Sequence, residues 1–205
     1  MRALSSRNTL SKIVLRNQID KIRLLFRKDR ESYLCFYRIL GFYPHNIQIY
    51  EQALLHKSSA VRSEKGRPLN NERLEFLGDA ILDAIVGDIV YKRFEGKREG
   101  FLTNTRSKIV QRETLNKLAV EIGLDKLIKY STRSSSHNSY MYGNAFEAFI
   151  GAIYLDQGYG VASSLWSSGS STVILIWTKY PAKKLTSSPS LSNGARRTRW
   201  RFPLS

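Results

Sequence analysis

The longest helical pattern in this chain, residues 69–94, constrains the fold more than any other segment. On a helical wheel at about 100° per residue, five aliphatic side chains fall on one stripe, as expected for a helix that packs one face against a core. The pattern starts directly after Pro68, which favours a helix beginning there. The predicted core face consists of Leu74, Leu77, Ile81, Ile85 and Ile89.

The other periodic segments of residues 31–156 are also helical in pattern, and none shows the alternation typical of a half-buried strand. Gly41 and Gly123 follow two of these segments and favour helix ends. We therefore predict an all-α domain. Its further helices are expected at residues 34–40, 49–55, 101–110, 113–122 and 142–155, with polar loops at 58–68 and 131–139.

Charge and composition narrow the class of protein. The 205 residues include 33 Lys and Arg against 17 Asp and Glu, a net charge of +16. This excess favours a polyanionic partner, nucleic acid before a membrane, although a merely solvated basic surface is the alternative. No apolar run approaches the length of about 18 residues that a membrane span needs, and the basic N-terminus lacks the apolar stretch of a secretory signal. A single cysteine, Cys35, excludes an internal disulfide and favours a reducing, cytoplasmic setting.

Composition divides the chain into a basic leader (1–30), a helical domain (31–158) and an atypical tail (159–205). All 17 acidic residues precede position 157, while the three tryptophans and several serine clusters follow it. The tail shows no helical period beyond one turn and is expected to be disordered. Two explanations stand side by side: a frameshifted or foreign C-terminus, or a basic RNA-binding tail.

Four carboxylates lie opposite the predicted core face, within an arc of about 80°. Like charges at these spacings repel one another, and a bound cation relieves that repulsion. Oxygen ligands of this kind select Mg²⁺ or Mn²⁺ over zinc. A solvated acidic face with Arg73 and Lys92 as partners is the alternative. The four residues are Glu72, Glu75, Asp79 and Asp83.

The apolar helix at 142–155 contains one charge, Glu147, which is costly to bury unless it is paired or bound to a metal. Asn144 lies about one turn earlier and adds an amide oxygen. The two helices can therefore supply Glu75, Asp79, Asn144 and Glu147 to one divalent ion. The alternative for Glu147 is a salt bridge to one of the many Arg or Lys residues.

Phe76 lies beside the carboxylate arc and away from the predicted core face. A large aromatic side chain in this place is covered either by a partner subunit or by a loop of the same chain.

These residues carry a resemblance to the ribonuclease III family. Residues 71–79 read N-E-R-L-E-F-L-G-D and match the family signature throughout. Residues 53–58 resemble its L-T-H-R-S segment, residues 99–103 the segment after the signature helix, and residues 147–156 its E-A-L-I-G-A-x-x-L-D helix. The resemblance covers about residues 30–158.

The resemblance implies an all-helical, homodimeric endonuclease domain that cuts double-stranded RNA with Mg²⁺, for which Mn²⁺ can substitute. It implies 5′-phosphate and 3′-hydroxyl ends, two-nucleotide 3′ overhangs and a role in processing ribosomal RNA precursors and other RNAs, with neither a membrane nor a small-molecule substrate. By position, Glu75, Asn144 and Glu147 are metal ligands and Asp79 and Glu147 take the catalytic role. Glu72 and Glu99 are supporting acids, and Phe76 inserts into the partner subunit.

Beside these roles, Arg106, Lys108 and Arg112 are candidate phosphate contacts, with surface solubility as the alternative.

Two departures from the family pattern qualify this expectation. Asn144 stands where many members have Asp, so the site loses one negative charge. We expect the ion to bind more weakly or with a different preference between Mg²⁺ and Mn²⁺, and activity to survive. Residues 157–205 do not resemble the double-stranded-RNA-binding domain that bacterial members usually carry, so we expect weaker, more salt-sensitive RNA binding. The alternatives to an active enzyme are a nuclease-fold RNA-binding protein without catalysis and a non-functional truncated product.

Overall fold

The computed structural model describes residues 30–131 and 140–167. Seven α-helices and two short 3₁₀ turns, at Lys57–Ser59 and Leu124–Lys126, occupy these residues. This described part of the chain contains no strand, only two isolated bridges, so the prediction of an all-α domain is confirmed. The helices are α1 (Arg30–Leu40), α2 (Ile47–Ala53), α3 (Glu72–Arg93), α4 (Glu99–Val110), α5 (Arg112–Glu121), α6 (Met141–Gln157) and α7 (Tyr159–Ser167).

Three predicted regions fall outside the described residues: the basic leader up to residue 29, most of the 131–139 loop, and the tail from residue 168. No described helix has the length and apolar character required to cross a membrane.

Helix α3 begins at Glu72, three residues later than its pattern predicts, because the preceding polar side chains bond to the backbone. The Oδ1 atom of Asn70 accepts a hydrogen bond from the Glu72 amide at 3.1 Å. Asn71 is buried, its amide N–H donates to the carbonyl oxygen of Leu55 at 2.9 Å and its side chain donates to that of Ala53 at 3.3 Å. These bonds hold the start of α3 against the end of α2.

The centre of the fold is the contact between α3 and α6, which pack more extensively than any other pair of described helices. Their backbones meet at Gly78 and Gly151. A Cβ atom at Gly78 would lie 1.7 Å from the carbonyl oxygen of Glu147, and one at Gly151 would lie 2.5 Å from that of Leu74. Only glycine permits this approach, which places Glu147 against the acidic first half of α3.

The predicted core face of α3 is rotated in the structure. Leu74 and Ile85 are buried as predicted, but Leu77, Ile81 and Ile89 are only partly buried. The cause is the glycine contact, which draws α6 toward the Gly78 side of the helix and buries the residues in line with it. The buried residues of α3 are Leu74, Gly78, Leu82, Ile85, Val86 and Val90.

A buried carboxylate, Asp156, fixes the end of α6 to the start of α2. Its side chain is 1% exposed and accepts hydrogen bonds from the backbone amides of His45 (3.0 Å) and Asn46 (2.9 Å) and from the Tyr50 hydroxyl (3.0 Å). An anion at a helix N-terminus satisfies amides that have no partner within the helix.

The domain boundary predicted at residue 158 does not coincide with a structural boundary. Gly158 has a φ of +81°, which ends α6 by a tight turn, and α7 follows at once. Ala162 of α7 is buried, and Val161 and Leu165 pack against the core. The sequence shows no clear helical period here because the helix spans only 9 residues, about two turns.

The glycine contact can be tested by adding a methyl group. Gly78→Ala should lower the free energy of unfolding by about 3 kcal/mol, the upper end for an overpacked core, because the Cβ would collide with backbone. Gly100→Ala in α4 is the matched control, since nothing lies within 4 Å of its Cβ position. Urea denaturation of both variants measures the difference; equal stability would contradict the proposed close approach.

Candidate active site

The acidic residues of α3 and α6 line a cleft of about 500 Å³. Helix α3 contributes Glu72, Glu75 and Asp79, which recur at helical spacing and so share one side. Helix α6 contributes Asn144 and Glu147 through the glycine contact described above. The cleft therefore unites the residues that the sequence predicts to act together. Its remaining walls come from His56, Lys57, Asn71, Phe76 and Arg112.

Burial and mutual repulsion disfavour ionisation of the two central carboxyl groups. Burial, together with the charges of Asp79 and Glu75, raises the pKa of Glu147 to about 7, although Arg112 opposes the shift. Burial and the charge of Glu72 raise the pKa of Glu75, against Lys57, Arg112 and a hydrogen bond from the side chain of Asn144. Such paired shifts in a cleft are typical of a functional site.

The hydrogen bond between Asn144 and Glu75 shows how the departure at position 144 is accommodated. An aspartate here would add a like charge beside Glu75, whereas the amide donates to it. The amide oxygen of Asn144 remains a hard ligand of the kind that Mg²⁺ binds.

Two cations lie at the edge of the acidic cluster. The Nζ atom of Lys57 is 3.4 Å from a carboxylate oxygen of Glu72. The guanidinium of Arg112 lies 4.3 Å from the centre of the Tyr140 ring, a distance typical of a cation–π contact. Lys92, an alternative partner for the arc, instead pairs with Asp88, four residues earlier on α3.

Not every predicted site residue faces the cleft. Asp83 acts on Glu147 only as a nearby charge, and Glu99 accepts a hydrogen bond from Thr103 at 2.7 Å on α4. Neither lines the cleft, and Arg106 and Lys108 are likewise absent from its walls. Of the three predicted phosphate contacts, only Arg112 lies in the cleft.

Phe76 is 82% exposed at the mouth of the cleft. No described residue of the same chain covers it, so within this part of the chain the loop alternative is not observed.

The donor set fits a hard divalent cation in kind. Among the residues that the structure describes, no three His, Cys, Asp or Glu side chains are arranged to hold a metal ion. The predicted ligand set contains only two carboxylates, from Glu75 and Glu147, because its third member is the amide of Asn144. Carboxylate and amide oxygens are the ligands that Mg²⁺ and Mn²⁺ prefer.

The sequence reasoning missed three residues of the cleft: His56, Lys57 and Asn71. They precede α3 and reach the cleft because residues 54–56 pair with Lys129 through backbone hydrogen bonds of 2.8 and 3.0 Å. His56 and Lys57 lie in the segment that resembles L-T-H-R-S, and Asn71 is the first residue of the N-E-R-L-E-F-L-G-D signature, so these two matches were the available signals.

The raised pKa of Glu147 predicts a pH-dependent stability. Between its ordinary value of 4.5 and its folded value of about 7, the folded state binds more protons, so stability falls as pH rises through this range. Glu147→Gln should remove that loss. The free energy of unfolding of the variant should therefore rise relative to that of the wild type between pH 5 and pH 8 in EDTA. Urea unfolding measures the change. Glu113→Gln is the control, since Lys117 holds the pKa of Glu113 below its ordinary value.

Comparison with known proteins identifies the family of this domain. The family model described as ribonuclease-III-like matches residues 46–169. A ribonuclease 3 from Bacteroides thetaiotaomicron is 99% identical over 146 residues, which are 71% of this chain and 47% of that protein. A ribonuclease 3 from Bacteroides fragilis is 93% identical over 146 residues, 71% of this chain and 50% of that protein. The chain thus spans about half the length of these relatives.

A solved structure agrees with the sequence relatives. The nuclease domain of ribonuclease III from Campylobacter jejuni superposes with a TM-score of 0.60 at 30% identity, covering 72% of this chain and 97% of that domain. The family match extends over more than half of the chain and includes every residue of the acidic cleft. The chain therefore belongs to the ribonuclease-III-like family.

Proposed function

We propose that this chain carries a nuclease centre that hydrolyses phosphodiester bonds of double-stranded RNA in the presence of Mg²⁺, with Mn²⁺ as a substitute. The observation that carries the proposal is the cleft in which Glu75, Asp79 and Glu147 face one another with cations at its edge. The clustered carboxyl groups can bind a divalent cation, and the cations at the edge can bind the phosphates of RNA. Family membership supports the same reaction.

In this proposal Glu75, Asn144 and Glu147 hold the ion. When bound, the ion lowers the pKa of a water molecule and neutralises charge on the scissile phosphate. The chain itself supplies three further functions. Glu147 must lose its proton before it can act as a ligand, Asp79 orients the attacking water, and Arg112 and Lys57 contact phosphate oxygens. The products carry 5′-phosphate and 3′-hydroxyl ends.

We propose that the active form is a homodimer joined around Phe76. A phenylalanine that is 82% exposed beside the site is costly in water and fits a pocket on a second copy. The related Campylobacter jejuni domain has a region involved in dimer formation. Two clefts in one dimer would cut both strands and leave two-nucleotide 3′ overhangs.

Relatives that are named ribonuclease 3 support a proposal about the cellular role. We propose processing of ribosomal RNA precursors and other RNAs in the cytoplasm, in line with the basic charge and the single cysteine. Glu72 and Glu99 as supporting acids, and Arg106 and Lys108 as contacts to RNA outside the cleft, stay predictions.

A second candidate function, RNA binding without catalysis, is favoured by one observation. Asn144 replaces an acid that many members have, and its hydrogen bond occupies Glu75. A direct assay of RNA cleavage distinguishes the two functions.

Long end-labelled double-stranded RNA should be cut to short duplexes in Mg²⁺ and left intact in EDTA. Glu147→Gln should reduce the rate at least about a hundredfold, because it replaces a charged metal ligand by a neutral amide. Glu113 is an exposed acid on α5 that does not line the cleft, so Glu113→Gln is the matched control and should keep wild-type activity. RNA that is bound but never cut in either metal would favour the second candidate.

An acid placed at position 144 should strengthen the binding of the metal ion. Asn144→Asp adds one negative charge to the ligand set, so half-maximal activity should need about tenfold less Mg²⁺. Titration of cleavage against metal concentration measures this. An unchanged metal dependence would show that Asn144 is not a ligand.

Phe76→Asp should convert the dimer to a monomer, because a charge cannot enter an apolar pocket without large cost. Light scattering should then give half the wild-type mass. Val120→Asp, which changes an exposed valine on α5, is the control and should keep the wild-type mass. A wild-type chain that is already monomeric would refute the proposed dimer.

A further inference from the structure

The histidine of the cleft wall has an arrangement that the proposed reaction does not yet explain. Nδ1 of His56 accepts a hydrogen bond from the backbone N–H of Ser58 at 3.2 Å. A backbone N–H can only donate, so Nδ1 carries a lone pair and the proton of the neutral ring is on Nε2.

A second contact agrees with this tautomer. The hydroxyl oxygen of Ser58 lies 2.8 Å from Nδ1 of His56 and accepts a hydrogen bond from the Ser131 amide at 3.1 Å. Because the oxygen receives one hydrogen bond, its own proton is free to be donated to Nδ1. With Nδ1 as the acceptor of the Ser58 amide, the hydrogen bonds run in one direction, from Ser131 through Ser58 to His56.

This arrangement leaves Nε2–H as the polar edge of a ring that lines the acidic cleft. No residue in the described part of the chain accepts a hydrogen bond from it. Burial and Lys57 lower the pKa of His56 more than Glu72 raises it, which agrees with a neutral ring. An oriented donor without an acceptor, beside two cations, is suited to an incoming anionic oxygen.

We infer that His56 is a neutral hydrogen-bond donor, held by Ser58 and Ser131, that contacts a non-bridging phosphate oxygen of the bound RNA strand through Nε2–H. The inference rests on the proposed function, since it assumes that RNA enters the cleft. It adds a contact of a different kind from those of Lys57 and Arg112, because a neutral donor orients a phosphate without adding positive charge to the acidic site.

Two substitutions separate the donor from the structural role of His56. His56→Asn keeps a side chain that can accept from the Ser58 amide, as asparagine does at helix starts, but is too short to place a donor where Nε2 lies. His56→Gln places an amide N–H near the position of Nε2. Thermal unfolding should show that both variants remain folded.

Binding of a fluorescent RNA duplex in EDTA, measured by anisotropy over a series of salt concentrations, is the test. His56→Asn should weaken binding about tenfold and His56→Gln less than about threefold, as for loss of a hydrogen bond to a charged group. The slope of log K against log salt should stay unchanged in both, because a neutral donor displaces no counterion. Arg112→Gln is the contrast and should reduce the slope by about 0.9.

The outcomes are distinct. Equal affinities for wild type and His56→Asn would overturn the inference, and a slope reduced in His56→Asn would show a cationic role and overturn it as well. Because binding is measured without metal, the inference survives or fails independently of cleavage. A wild-type chain that binds RNA but does not cut it in Mg²⁺ or Mn²⁺ would refute only the proposed function.

Discussion

The structure depends on the contact of two helix backbones at Gly78 and Gly151. A single methyl group at Gly78 would lie 1.7 Å from the Glu147 carbonyl, so the spacing of α3 and α6 is set by the absence of side chains. That spacing decides which residues of α3 are buried. It also decides that the carboxyl group of Glu147, in the apolar middle of α6, faces the acids of α3.

The electrostatic character of the cleft follows from this contact. Helix α6 is buried along nearly its whole length, so Glu147 loses much of its hydration, and this burial raises its pKa to about 7. The nearby charges of Asp79 and Glu75 act in the same direction, while Arg112 acts against them. In such a site the carboxylates are poorly hydrated and repel one another. A divalent cation would reduce this repulsion, which is the physical basis of the proposed chemistry.

Much of the fold was predictable because it rests on local patterns. The period of α3, the glycine that ends α1 and the apolar α6 all appear in the sequence, and the helices formed within a few residues of the predicted limits. The misplaced features have non-local causes. The start of α3 depends on bonds from Asn71 to the end of α2, and α7 is too short to show a period before it packs.

The sequence by itself determined the acidic side of α3, the position of Glu147 in the apolar part of α6 and the family resemblance, because helical spacing and residue type are properties of the chain. Only the tertiary structure decided which of these residues share a cleft. It brought His56 and Lys57 into the wall through pairing with Lys129, left Glu99, Arg106 and Lys108 outside, and oriented His56 through Ser58 and Ser131. These relations join residues far apart in the chain, and no local pattern encodes the distance between them.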